Sequence, residues 1–502
     1  MRTENLRIMR RKRNKFALSY GKLWTANMGE LIPTGLLEVL PGDGIQHSTS
    51  NFLRTIALVA PPMHQVDMYT HHYFIPNRLV WDDWEDFITG GEDNDDTSVF
   101  PTVDLSTAGR GQPAAKDLSD YLGLPVGTDL GAMSALPFRM YALLWNEVYR
   151  DQDIQDELVI STASGADTTT SLALQRANWE KDYFTRAKPW PQKGDAQTVS
   201  LGTSAPIKTD AALGADWVSV KSDQDSNDHI LSVTSGNVYP QSGAASGHDP
   251  LYADLSAATG IPVTDLYQAI RLQDMAQARA LYGSKYVEYI RYIGGNPQDY
   301  RFQRPEYLGG GKQAVQFSEV LQTAEGTNPV GHLYGHGIGV SRSNRYRFQV
   351  PEHGYIISVS CIKPRTMYAD GIPQHYLRTQ LEDYWQLELQ NIGQRAVLNK
   401  EVYAAHATPD GTFGYSDRYD EYRRGVNTIA GAMRNTLAAY HFGRQFSTDP
   451  ALNSDFLECD PPKTPFSVTT ADHHPLLIDT RHSIQARRVV TNDPTPMMAP
   501  RY

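Results

Sequence analysis

The segment VDMYTHHYFI, Val66–Ile75, is rich in β-branched and aromatic residues, the composition of a β-strand. The segment NFLRTIALVA, Asn51–Ala60, has the same character and precedes it closely. Pro61 and Pro62 separate the two segments, and proline does not fit inside a central strand. This pair of segments therefore predicts two successive strands and a β-rich fold.

Further strands are predicted on both sides of this pair. Gly29–Pro41 reads as an extended segment that ends in the turn sequence Pro41-Gly42-Asp43-Gly44. Later, NRYRFQV, Asn344–Val350, alternates large apolar residues with arginine and glutamine, which indicates a half-buried strand. GYIISVSCI, Gly354–Ile362, carries no charged residue and indicates a more fully buried strand.

Helices and loops are predicted between these strands. The periodicity favours helices over Asn77–Ile88, Leu136–Arg150 and Asp265–Tyr282, with a shorter one over Lys285–Ile293. Residues 160–176 and 195–250 are rich in small and polar residues, and we interpret 195–250 as a surface insertion. Strands near both ends with inserted structure between them predict a β-sandwich whose loops are long.

Charge is distributed very unevenly along the chain. The whole chain carries −11, and the first 22 residues carry eight basic residues against the single acid Glu4, or +7, which leaves −18 for residues 23–502. A short basic arm on an acidic body is typical of a protein whose one end meets phosphate. The candidate DNA-binding residues are Arg2, Arg7, Arg10, Arg11, Lys12, Arg13, Lys15 and Lys22.

The arm has more than one interpretation. Its densest part, Arg10–Lys15, could contact phosphates, and Phe16, Tyr20 and Trp24 could stack on unpaired bases. Alternatively, these aromatic residues anchor the arm against the body, which is the interpretation we favour. A solvated, disordered terminus remains the simplest alternative on charge alone.

Motifs for catalysis or metal binding are missing from the sequence. There is no H-x-H pair and no G-x-S-x-G elbow, and His71 and His72 on one strand would point to opposite faces. The two cysteines, Cys361 and Cys459, have no CxxC context and are predicted to be buried free thiols. No stretch is apolar enough to predict a membrane span. We therefore predict no catalytic residue, metal or cofactor, and no membrane insertion.

Eight collinear blocks of the chain resemble the major capsid protein of microviruses, which are small tailless bacteriophages with single-stranded DNA. Together they span roughly residues 29–460, and no single block would be specific. The blocks are Gly29–Asp43, Phe74–Gly90, Leu136–Gln152, Asp182–Gly194, Arg304–Gly309, Glu352–Ile357, Gly393–Tyr403 and Phe413–Arg423.

The resemblance implies a mainly β fold, a single eight-stranded antiparallel jelly roll of the viral capsid type with short helices in long inserted loops. Residues 1–28 would form an interior-facing arm and residues 29–502 one capsid domain. Sixty copies would enclose a single-stranded DNA genome in an icosahedral virion that is assembled in the host bacterial cytoplasm. Implied partners are a small basic DNA-packaging protein, a minor pilot protein, a scaffolding protein and a host surface receptor. The arm would contact DNA or neighbouring protomers.

Two other classes of function stay open at this point. An enzyme built on a jelly roll, such as a glycan-active protein, is disfavoured because the usual metal motif is missing. A free nucleic-acid-binding module would require basic patches across the body, and the −18 outside the arm argues against them.

Overall fold

A computed structural model describes residues 13–91, 95–195, 263–282, 303–323, 330–470 and 473–491. It also describes the backbone of five short strands between residues 207 and 253. The predicted helix over Lys285–Ile293 lies outside the described residues.

The described chain is mainly β, and its helices are short except for the one over Val263–Tyr282. The strands are β1 Asn14–Ala17, β2 Tyr20–Ala26, β3 Ile32–Val39, β4 Gly44–Thr55, β5 Val66–Pro76, β6 Thr102–Asp104, β7 Ala132–Ser134, β8 Ile207–Lys208, β9 Ser219–Lys221, β10 Asp228–Thr234, β11 Asn237–Gln241, β12 Tyr252–Ala253, β13 Glu306–Leu321, β14 Leu333–Arg342, β15 Tyr346–Gln349, β16 Gly354–Pro364, β17 Gln394–Leu398, β18 Thr412–Asp417 and β19 Leu476–Arg488. The α-helices are α1 Trp84–Thr89, α2 Leu118–Tyr121, α3 Leu136–Leu144, α4 Val263–Tyr282, α5 Asn399–Val402 and α6 Ser454–Leu457.

The main sheet is antiparallel throughout and has the order β1-β19-β4-β14-β13-β5-β16-β3, with β2 on β19 and β15 on β4. The first and last described strands, β1 and β19, thus meet at one edge of the sheet. The sheet curls so that its two halves face each other, as the ring contact between Phe74 and Phe348 at 5.2 Å shows. The predicted mainly β jelly-roll class is confirmed.

The main sheet has ten strands, whereas the resemblance implies eight. The difference arises because β1 and β2 both pair with β19, and β14 and β15 both pair with β4. Each pair occupies one place in the sheet and is interrupted by a short break, at residues 18–19 and 343–345. In the second break Ser343 donates its backbone N–H to the Thr49 carbonyl oxygen at 2.8 Å.

The two halves of the sheet differ in how many faces they bury. In β5 nearly every residue is buried, because one face packs inside the sandwich and the other packs on α3. Trp81, Phe138 and Tyr141 belong to that outer core. In contrast, the C-terminal half of β4 alternates buried and exposed residues, because only one face is covered. The half formed by β1, β2, β19, β4, β14 and β15 therefore has a solvent-exposed face.

Two predicted helices are confirmed and one is broken. α4 starts at Val263, close to the predicted start, and α3 covers the first part of the predicted Leu136–Arg150 helix before a π-helical turn at Trp145–Tyr149. Asn77–Ile88 is not one helix: it forms a 3-10 turn and then α1. The carbonyl of Val80 between them accepts a hydrogen bond from the buried Arg139 guanidinium at 2.9 Å, in place of a helical N–H.

The sheet begins inside the segment that the sequence predicts as an arm, since β1 and β2 both precede residue 29. The chain divides into two compact units, Gln192–Leu281 and the remainder. Within Gln192–Leu281 lie α4, a three-stranded sheet of order β11-β10-β9 and the pair β12-β8. The predicted surface insertion at 195–250 falls in this unit, and its exposure stays a prediction.

Three histidines meet inside the sandwich. His47 Nε2 lies 3.1 Å from His482 Nδ1, and the rings of His47 and His72 are 4.6 Å apart. Around them the hydrogen-bond partners are neutral: the hydroxyls of Thr49, Tyr346, Ser343 and Ser358 and the carbonyl oxygen of Thr34. Burial lowers the pKa of His47 to about 3 and that of His482 to about 4, and it lowers the pKa of His72 as well.

This cluster predicts that acid destabilises the fold. Because the unfolded chain takes up protons near pH 6.5 and the folded cluster does not, stability is complete above that pH and falls as the pH drops toward the folded pKa values. Each histidine contributes a slope of up to about 1.4 kcal/mol per pH unit. Urea unfolding at pH 7.5, 6.0 and 5.0 measures the decline, and His47→Gln should make it shallower. A decline unchanged by this substitution would contradict the assignment to the cluster.

Candidate nucleic-acid interface

The exposed face of the first half of the sheet is basic. Side chains that are directly opposite in an antiparallel pair point to the same side, so the register defines which residues share this face. It carries one carboxylate, Asp479, and six cationic side chains on five strands. These are Lys15 on β1, Arg481 and Arg487 on β19, Arg54 on β4, Arg342 on β14 and Arg347 on β15. We call this set the basic face.

Like charges lie close together on this face. Lys15 is directly opposite Arg487, and Arg342 and Arg481 flank Ser50 from the two neighbouring strands. Pairs of like charge directly opposite each other destabilise a sheet unless an anion lies between them. This arrangement therefore favours a polyanion as the occupant of the face.

Few of these cations are neutralised within the chain. Arg481 forms an ion pair with Asp479 at 3.2 Å, and the Arg54 guanidinium lies 5.2 Å from the centre of the Phe52 ring. Among the described residues, Arg342, Arg347 and Arg487 have no carboxylate within salt-bridge distance. Their charges are thus available to a ligand.

A groove of about 570 Å³ lies at one end of the basic face, beside α2. It combines exposed apolar side chains with charged ones, an arrangement that suits a base and its phosphate. The basic face and β2 contribute Leu23, Phe52, Arg54, Leu477 and Asp479 to the lining, and the α2 region contributes Lys116, Asp120 and Tyr121.

The predicted DNA-binding residues have three different placements. Arg2, Arg7, Arg10, Arg11 and Lys12 lie outside the described residues. Arg13 and Lys15 are exposed at the edge of the sheet, where β1 pairs with β19, and Lys15 belongs to the basic face.

Lys22 is placed differently from Arg13 and Lys15. Its Nζ donates to the carbonyl oxygens of Pro33, at 3.0 Å, and Tyr121. Burial lowers the pKa of Lys22 to about 8, although the nearby Asp120 acts in the opposite direction. These bonds occupy the ammonium group, so its placement argues against a phosphate contact by Lys22.

The aromatic residues of the arm are anchors where the structure describes them. Trp24 is buried in the sandwich, and its Nε1 donates to the Thr480 hydroxyl at 2.8 Å. The Tyr20 ring packs against His482 with 4.8 Å between ring centres. The anchoring interpretation is therefore confirmed for Trp24 and Tyr20.

The basic face is hidden in the sequence because its members are far apart in the chain. Net charge adds both signs over the whole surface, whereas strand alternation places these arginines on one side. One local indication of the basic face was the segment NRYRFQV, in which the exposed Arg345 and Arg347 alternate with the buried Tyr346 and Phe348. The charge of −18 outside the arm argues against basic patches across the body, but it does not exclude one basic face on one side of the sheet.

Further predictions from the sequence concern metal ions, membranes and thiols. In the described part of the chain, no group of three or more His, Cys, Asp or Glu side chains is placed to hold a metal ion, and no helix there has the length and apolarity needed to span a membrane. Cys361 and Cys459 are free and buried, as predicted, and burial raises the pKa of the Cys361 thiol to about 11. His71 and His72 bond on opposite faces of β5, to Tyr149 and Ser358.

Comparison with known proteins gives a consistent result. The family model described as capsid protein (F protein) of phages matches residues 5–498. The chain belongs to this phage capsid protein family. Its relatives include the capsid protein VP1 of Bdellovibrio phage phiMH2K, which is 34% identical over 93% of this chain and 91% of the relative.

Two further relatives carry the same name. Capsid protein VP1 of Chlamydia phage 1 is 30% identical over 90% of both chains, and that of Spiroplasma virus 4 is 29% identical over 89% of this chain and 88% of the relative. All three come from microviruses, so the resemblance is confirmed. The phage capsid family consists of structural virion proteins and not of enzymes, and its members self-assemble into shells.

Proposed function

We propose that sixty copies of this capsid protein form a closed icosahedral shell around a single-stranded DNA genome, with the basic face directed inward against the DNA. The observation that carries the proposal is the basic face itself. It presents unneutralised arginines on a rigid sheet. In the other half of the sheet, which contains β5 and β16, the outer face is covered by α3. Cations on a fixed scaffold bind phosphates independently of sequence, as a packaged genome requires.

The arm extends the same surface. β1 lies at the edge of the sheet, Lys15 is part of the basic face, and Arg13 is exposed directly before β1. We therefore assign the DNA contact to Arg13, Lys15 and the basic residues that precede them, and leave Lys22 out. Contact between the arm and neighbouring protomers is the alternative role.

We expect this surface to contact unpaired bases as well as phosphates. Phe52 exposes part of its ring beside Arg54 in the groove, and aromatic rings and guanidinium planes both stack on unpaired bases. Contacts of this kind tolerate any base. Single-stranded DNA suits them better than a duplex, whose bases are stacked internally.

The remaining partners are proposals from the family. They are a small basic DNA-packaging protein, a minor pilot protein that delivers DNA, a scaffolding protein and a host surface receptor, with assembly in the cytoplasm of a bacterial host. The basic arm could share the task of the packaging protein, since both would neutralise phosphate.

Sedimentation velocity on particles from the native source tests the shell. Sixty chains of 56.1 kDa give about 3,400 kDa before any DNA. We expect one homogeneous species above that mass, with an absorbance ratio that shows nucleic acid. A stable monomer or small oligomer as the native form would overturn the proposal.

A further inference from the structure

A long segment between β16 and β17, residues 374–393, exposes an unusual number of large apolar side chains. Six of them, together with Tyr422 beside the segment, are each between 50% and 73% exposed. We call these seven residues the apolar patch: Tyr376, Leu381, Tyr384, Trp385, Leu387, Ile392 and Tyr422. Several large apolar side chains exposed in one segment indicate an interaction site.

The segment is held in position by a buried ion pair beneath it. Arg378 bonds to Glu421 at 3.0 Å, and both side chains are mostly buried. The Arg378 guanidinium also lies 4.5 Å from the ring centre of Tyr422 and 5.5 Å from that of Tyr384. One arginine thus fixes two aromatic members of the apolar patch.

Hydrogen bonds fix the backbone of the same segment. The Tyr419 hydroxyl lies 3.0 Å from the carbonyl oxygens of both Glu382 and Tyr384. The Asp383 carboxylate accepts from the backbone N–H groups of Thr379 and Gln380 at 2.8 and 2.9 Å. The exposed rings and leucines therefore sit on a preorganised support, which lowers the entropy that binding costs.

We infer that the apolar patch is a contact between neighbouring copies of this chain in the capsid. The inference rests on the proposed shell of identical copies. A capsid protein must bury surface against its own copies, and exposed aromatic side chains on a rigid support are typical anchors of such interfaces.

Charge around the patch favours the same occupant. Glu382 and Glu388 are exposed within the segment and would repel DNA phosphates, which separates this surface from the basic face. Arg423, which is also exposed and forms an ion pair with Asp417 at 3.7 Å, follows Tyr422 on the other side. A rim with both signs of charge can be matched by a second copy of the same chain, which carries both signs too.

Two matched variants test the inference by assembly. Leu381→Asp with Leu387→Asp places charges in the patch, and Val99→Asp with Val159→Asp does so at valines of similar exposure elsewhere. We expect both variants to keep the unfolding midpoint in urea, and only the patch variant to lose particle yield, by at least about tenfold. Normal yield from the patch variant, or equal loss from both, would overturn the inference.

Thiol labelling tests the same contact with a substitution that introduces no charge. Because Cys361 and Cys459 are buried, Leu387→Cys introduces one accessible thiol. We expect maleimide to label it in dissociated chains and not in shells made of this chain alone. Equal labelling in both states, or protection that requires a second protein, would overturn the inference. Either result would leave the shell itself, measured by sedimentation of the unsubstituted chain, intact.

Discussion

Replacing three arginines of the basic face by glutamine is expected to weaken DNA binding and make it less sensitive to salt. Arg342, Arg347 and Arg487 are exposed, come from three strands and have no carboxylate partner among the described residues. For single-stranded DNA, each phosphate without its cationic partner reduces the slope of log affinity against log salt by about 0.7, so the triple variant should show a slope smaller by about 2. Fluorescence anisotropy with a labelled oligonucleotide measures the slope, and the absorbance ratio of particles measures packaging.

A charge-matched variant separates the basic face from net charge. Arg186, Arg365 and Arg434 are also exposed, and none of them lies on the basic face. Their replacement by glutamine makes the same change in net charge and is expected to keep the slope. Equal slopes in the two triple variants would show that the basic face has no special role.

Replacing Asp167 by alanine is expected to lower the free energy of unfolding by about 3–5 kcal/mol, the usual cost of breaking a buried ion pair. Asp167 and Arg139 are both fully buried and bond at 2.8 Å, and Arg139 also donates to the carbonyl oxygens of Val80 and Ala163. Without the carboxylate, a guanidinium would stay buried with no counter-charge. The contact of α3 with the loops that contain Val80, Ala163 and Asp167 would be weakened.

A second ion pair provides the control for this prediction. Arg78 and Glu352 bond at 2.7 Å but remain 23% and 30% exposed, so Glu352→Ala should cost only about 0–1 kcal/mol. Urea unfolding at pH 7.5 compares the two variants with the unsubstituted chain. Similar costs for the two variants would contradict the role assigned to burial at Asp167.

Several strands of the sandwich were predictable because hydrophobic pattern reports burial directly, although β13, β14 and β19 were not predicted. The segment GYIISVSCI, which lacks charged residues, predicted a more fully buried strand, and β16 is buried almost throughout. The alternating segment NRYRFQV predicted a half-buried strand, and β15 alternates in that way. Pattern alone could not show that β15 and β14 continue one another along β4, since that depends on pairing between distant segments.

The candidate site was predictable only in its local part. The arm was visible because its charges are adjacent in sequence, but the structure shows that one of them, Lys22, is occupied by backbone carbonyls. The basic face was not visible, because strands from both ends of the chain contribute to it. The fixed position of residues 374–393 could not be predicted for another reason. It depends on Tyr419 and Glu421, which lie beyond β17 in the sequence.

Cryo-electron microscopy of the assembled particle tests the central claim most directly, because it shows which face of the sheet points toward the genome. We expect a closed shell in which Arg342, Arg347 and Arg487 face the interior and touch density for nucleic acid. A shell in which these side chains point outward to solvent, or are buried between protomers away from the DNA, would contradict it.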